Sequence, residues 1–262
     1  NPGRLTHVNL LKRHVLKRCI YGVDLNPMAV ELAKVSLWLD CFTLGAPLSF
    51  LDHHIKCGNS LVGARIDAVQ QEVEGKRVGD SKQLDLFGSA FAGLLIATKG
   101  MIRIGELSDV TVAQVKESAK AFRDASVILE PFKQVLDLWT SQHFGNPAAR
   151  ELFLGADFPA IRAGWQDRLT PAAEPVQRHC RRTVAEQRFF HWELEYPEVF
   201  FDKTGPAGNH GFDSVVGNPP YDVLAEKELA SDLEYVLGYF DQESNYAPAK
   251  KGQQNLYKLF VC

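Results

Sequence analysis

The chain has 262 residues, 45% of them hydrophobic and 23% charged, which is an ordinary globular composition large enough to bury a full core. A net charge of −3 excludes nucleic-acid binding by bulk positive charge, so a DNA partner would need a local basic patch or another domain. No apolar run is long enough to span a membrane, no signal peptide is visible, and the five scattered cysteines predict reduced thiols in the cytoplasm rather than disulfides or a zinc site.

Leu5 to Arg18 is predicted as a basic amphipathic helix with Leu5, Val8, Leu11, Val15 and Leu16 on or near one face. Cys19 to Leu25 follows as a strand ending in an acid, Asp24. Asn26 then caps a helix that opens with Pro27 and is apolar through Val30, Ala33, Leu37 and Trp38. Ile55 to Leu61 is a second short strand and turn, and His53-His54 before it are loop residues without metal-ligand spacing. This order of helix, strand, helix and strand predicts an α/β fold with a parallel, doubly wound sheet.

Residues 65–188 read as a large, mostly helical insertion. One helix is predicted over Ser108 to Ala125, and another after Pro131 carries Phe132, Val135, Leu136 and Trp139 inward and closes at Gly145. The basic run Arg178, His179, Arg181, Arg182 and Arg188 fits phosphate contacts or a solvated helix face. An aromatic segment from Phe189 to Phe201 reads as core. The run Phe212 to Gly217 is predicted as a buried strand, and Ala225 to Gly252 as a polar loop with one short helix. The three parts are 1–64, the cofactor side of a core; 65–188, the insertion; and 189–262, the second part of the core.

Asn218-Pro219-Pro220-Tyr221 stands at the carboxyl end of that last predicted strand, where open α/β sheets bind ligands. Prolines remove backbone donors and fix φ, leaving carbonyls directed outward, and the asparagine side chain adds a further acceptor. Two converging acceptors suit an exocyclic amino group, and a tyrosine face suits a stacked base. Asp24 ends one strand and can accept from ribose hydroxyls, or simply cap the next helix. Asn59, followed by Ser60, ends another and can meet a purine edge or serve a turn.

Residues 20–27, 57–63, 191–200 and 212–221 together resemble the large adenine-specific DNA amino-methyltransferases of fused, type II-G-like restriction–modification and phage-exclusion systems. The resemblance implies methyl transfer from S-adenosyl-L-methionine to a flipped adenine in double-stranded DNA. It implies that Asp24, Leu25, Asn59 and Ser60 line the cofactor side, and that Asn218, Pro219, Pro220 and Tyr221 form the target-base side. Asn255, Leu256 and Tyr257 resemble the start of the family's next motif. The family's glycine-rich cofactor loop is expected before Asn1, and its recognition domain beyond Cys262. The chain thus reads as an internal fragment, inactive and marginally stable alone, because each unpaired buried backbone group beside a missing strand costs about 1–3 kcal/mol. Other subunits of a defence complex are further expected partners. The alternatives are a protein-glutamine or cytosine amino-methyltransferase, and a non-catalytic DNA-binding or assembly module.

Overall fold

The computed structural model describes residues 7–69, 88–154, 171–202 and 211–218, with Tyr235, 238–240 and Gln242. The predicted loop and helix over 225–252 lies almost entirely outside the described residues, as do Pro219, Pro220, Tyr221, Asn255, Leu256 and Tyr257.

The described chain is a mostly helical α/β structure around a small parallel sheet. Helix α1 (His7–Cys19) leads to β1 (Gly22–Asp24), α2 (Pro27–Asp40) and β2 (Ile55–Cys57). β1 and β2 pair in parallel, with Gly22 opposite Ile55 and Asp24 opposite Cys57. The start of α2 follows the predicted capping chemistry: Asn26 Oδ1 accepts from the Met28 N–H at 2.9 Å and Pro27 opens the helix. Its apolar face packs as predicted, with Val30, Ala33, Leu37 and Trp38 gathered around Leu16, Leu51 and Ile55.

Of the predicted apolar stripe, α1 buries Leu16 but not Val8, Leu11 or Val15. Val8 and Leu11 are 62% and 63% exposed, whereas Arg13, Leu16 and Lys17 are buried. The reason is electrostatic. Arg13 Nη2 donates to the carbonyls of Pro47 (2.7 Å) and Asp109 (2.8 Å), and Lys17 pairs with the Asp109 carboxylate at 2.8 Å. Asp109 also accepts from the Phe50 N–H and the Ser118 hydroxyl, so this carboxylate joins the α1–β2 unit to the helices that follow.

Those helices are α3 (Gly88–Glu106), α4 (Val112–Ser141), α5 (Ala148–Leu154) and α6 (Ala173–Gln187). The main core lies between α3 and α4, where Leu94, Ala97, Met101 and Ile104 meet Ala125, Leu129 and Leu136. α4 begins at a capping box between Thr111 and Gln114 and runs unbroken through Pro131. The prediction of two helices separated there is therefore corrected. A proline costs one backbone bond, but burial of Leu129, Val135, Leu136 and Trp139 along the same rod outweighs the local break.

After α6 the chain enters α7 (Trp192–Glu195) and α8 (Pro197–Phe200). Lys56 of β2 and Lys133 of α4 both grip the Glu195 carboxylate, at 3.0 and 2.6 Å. Burial alone would raise this carboxyl, but the two ammonium groups hold it down at about 2.

Candidate functional site

The turns after β1 and β2 meet at the carboxyl ends of the strands, and a further segment, 211–218, is anchored beside Tyr21 at the amino end of β1. β1 ends at Asp24, whose carbonyl accepts from the Gly58 N–H at 3.0 Å. The Asp24 side chain is exposed, and its Oδ1 accepts from the Asn26 N–H at 2.7 Å. This Asx turn orients one carboxylate oxygen toward the backbone. Leu25 beside it is 52% exposed, offering an apolar surface at the strand mouth.

β2 leaves through Gly58 to Asn59, which forms a parallel bridge with Phe189. Asn59 Oδ1 accepts from the Leu61 N–H at 3.2 Å, so its side chain serves the turn. The Asn59 N–H donates to the Arg188 carbonyl at 2.8 Å, and the Phe190 N–H to the Val62 carbonyl at 2.8 Å. Further along, the Ala64 N–H donates to His191 Nδ1 at 2.9 Å, which leaves Nε2 to donate to Asp137 at 3.0 Å. Trp192 Nε1 donates to the Ser60 carbonyl at 3.0 Å. Residues 59–64 and 188–192 therefore run side by side as a third ribbon. Their approach is so close that a Cβ on Gly63 would lie 2.1 Å from the Phe190 carbonyl oxygen.

The remaining segment is 211–218. It is not the buried strand predicted from its apolar run. Val215 and Val216 are 80% and 94% exposed, and Asn218 is exposed. Among the described residues no strand lies alongside to take its backbone bonds, so the valines have nothing to pack against. Its one apolar anchor is Phe212, whose ring meets Tyr21 at 5.3 Å, Trp192 at 5.7 Å, Tyr196 at 5.9 Å and Phe200 at 6.0 Å. The structure thus gathers Asp24, Leu25, Asn59 and Ser60 on one edge. It ties the base of the Asn218 segment to the aromatic cluster behind that edge, and Asn218 itself makes no hydrogen bond to that edge among the described residues.

Behind the strands lies a buried titratable group that pattern reading missed. Glu198 faces His54, with Nε2 of the imidazole 4.0 Å from Oε1. Tyr21 approaches the same carboxyl without closing a hydrogen bond to it. Burial pushes Glu198 up to about 7 and draws His54 down to about 4. Arg188 was also missed as a site residue. It leaves the basic run of α6, whose Arg178 and Arg182 pair with Glu174 and Glu186 on the helix surface, and lays its guanidinium on the Leu25 carbonyl. The sequence signal for it is positional: Arg188 is the residue at which a helix ends and an aromatic run begins.

The donor set on the edge fits a nucleoside: a solvent-facing carboxylate suits a ribose diol, and an adjacent apolar side chain suits a ring face. Among the described residues no group of three or more histidine, cysteine, aspartate or glutamate side chains is arranged to hold a metal. No helix among them is long and apolar enough to cross a membrane.

Residues 18–262 match the family described as Eco57I restriction-modification methylase. The chain belongs to that family. The matched range takes in every segment described above, from β1 to Asn218, and runs on through Tyr221. The chain is also 24% identical, over 247 residues, to a protein of Methanocaldococcus jannaschii described as a type II restriction enzyme and methyltransferase; the match covers 83% of this chain and 19% of that protein. The chain therefore spans about a fifth of the length of this curated relative. No solved structure matches.

Proposed function

We propose that the protein is a site-specific DNA-methyltransferase that methylates the exocyclic amino group of adenine, using S-adenosyl-L-methionine, within a restriction–modification or phage-defence system. The observation that carries this reading is the Eco57I-type match across 18–262, with Asn218-Pro219-Pro220-Tyr221 inside it. In this reading residues 1–64 and 189–262 are two parts of one doubly wound, Rossmann-like methyltransferase core, and 65–188 are inserted between them. Its partner is duplex DNA, its setting is the cytoplasm, and other subunits of a defence system are further partners.

Asp24 accepts from the ribose hydroxyls, with Leu25 against the cofactor's adenine and the Asn59-Ser60 turn at its edge. When bound, the cofactor supplies an electrophilic methyl group on a sulfonium. Asn218 Oδ1 and the Pro219 carbonyl accept the two N–H groups of the target amine. An aryl amine has its lone pair delocalised into the ring and is a weak nucleophile. Preset acceptors on its hydrogens favour the pyramidal nitrogen that attacks, and they stabilise the charge that develops there. Pro220 rigidifies the turn. Tyr221 stacks on the base, which must leave the duplex at a cost of about a few kcal/mol.

The test is Asn218→Ala in the whole protein. Turnover on adenine-containing duplex is expected to fall by about 10²–10³-fold with cofactor affinity nearly unchanged. An equal loss of cofactor affinity would sink the assigned role. Mass spectrometry of the digested product must show N6-methyladenine; methyl on cytosine would refute the substrate assignment.

A further inference from the structure

Arg188 occupies a conformation that its residue type disfavours. It closes α6 with φ of 53°, in the left-handed region where glycine is the usual helix terminator. What the position gains over glycine is a guanidinium. Arg188 Nη1 donates to the Leu25 carbonyl and lies 3.5 Å from Cys57 Sγ, so the side chain reaches across the ends of both strands. Its own carbonyl accepts from the Asn59 N–H at 2.8 Å. One residue therefore fastens the loop after β1 with its side chain and the loop after β2 with its backbone.

The decisive geometry lies in a single peptide group. The Leu25 carbonyl, which accepts from Arg188, and the Asn26 N–H, which donates to Asp24 Oδ1 at 2.7 Å, are the two ends of one planar unit. A cationic donor on the oxygen fixes the plane and polarises the N–H at the other end, and chained hydrogen bonds strengthen one another in this way. We propose that Arg188 is a positioning residue of the cofactor site, which sets the Asp24 carboxylate through the Leu25–Asn26 peptide. The proposal rests on the reading of Asp24 as the ribose acceptor.

The experiment compares Arg188→Gly, Arg188→Lys and wild type in the whole protein, with S-adenosylmethionine binding by calorimetry, steady-state methylation and thermal melting. The glycine variant relieves the backbone, so its melting temperature is expected to hold or rise, while its cofactor Kd and KM increase about tenfold. Its kcat at saturating cofactor stays within about twofold of wild type. Lysine restores part of the affinity, because an ammonium can still donate to the Leu25 carbonyl. In an Asp24→Asn background the Arg188→Gly penalty is expected to vanish. Wild-type affinity in Arg188→Gly overturns the proposal, and so does an undiminished penalty in the Asp24→Asn background. Failure of the wild-type protein to bind S-adenosylmethionine in the same calorimeter defeats the cofactor reading itself, whatever Arg188 does.

Discussion

The edge that carries Asp24 and Asn59 and the segment that carries Asn218 are built in opposite ways. The first is held by many bonds: strand pairing, the side-chain-to-backbone turns at Asp24 and Asn59, and the ribbon along 188–192 each consume donors and acceptors in place. The second is held by one side chain, Phe212, with exposed residues beyond it. Under the proposed function the first edge would meet one constant cofactor and can be preformed. The second would receive a base rotated out of a duplex, which gives reason to keep its contact residues unencumbered until the base arrives.

Three changes test that contrast. The largest effect is expected from Gly63→Ala, because the added carbon meets the Phe190 backbone rather than a movable side chain. The ribbon must shift, at about 3 kcal/mol of stability, read as a fall in denaturation midpoint and a weaker cofactor Kd. Unchanged stability would show that this edge is not rigid. Phe212→Ala should cost less, about 1–2 kcal/mol, because the ring is only half-buried; it should lower turnover while leaving cofactor affinity alone. Parallel loss of both would mean that the two regions are one unit.

The smallest effect concerns pH. Glu198 has a folded value of about 7 against an ordinary 4.5, so its contribution declines as pH rises through that interval. His54 has a folded value of about 4 against 6.5, so its contribution declines as pH falls through that interval. Between 4.5 and 6.5 the two oppose each other and flatten the wild-type profile. Glu198→Gln removes one side of this balance. Melting curves should show the variant losing more stability than wild type between pH 7 and pH 5. Superimposable profiles would rule out this opposition.

What the sequence revealed was the chemistry that is local. Asn26 and Pro27 announce a helix start because capping involves residues two apart, and the buried face of α2 follows from its period. What it hid was set by distant partners. α1 turns Arg13 and Lys17 inward because Asp109 lies 92 residues beyond Lys17 to receive them. Pro131 fails to end α4 because the helix is buried on both sides of it, through Ala125 and Leu129 before and Val135, Leu136 and Trp139 after. The valines before Asn218 look like core only if a neighbouring strand is assumed. Arg188 escaped because its guanidinium reaches the Leu25 carbonyl 163 residues away, a contact that no spacing rule records.

Tyr196 places a further demand on the molecule. Its hydroxyl lies 2.9 Å from the Gly22 carbonyl and 3.0 Å from the His54 carbonyl, at the head of a pair of three-residue strands. Strands this short hold poorly by themselves. Their register is therefore secured by a residue 174 positions downstream of Gly22. During synthesis β1 and β2 emerge before Tyr196, so this lock closes only once residue 196 has also left the ribosome. The edge that carries Asp24 and Asn59 thus depends on a contact of long sequence separation, the kind that forms late when a chain folds.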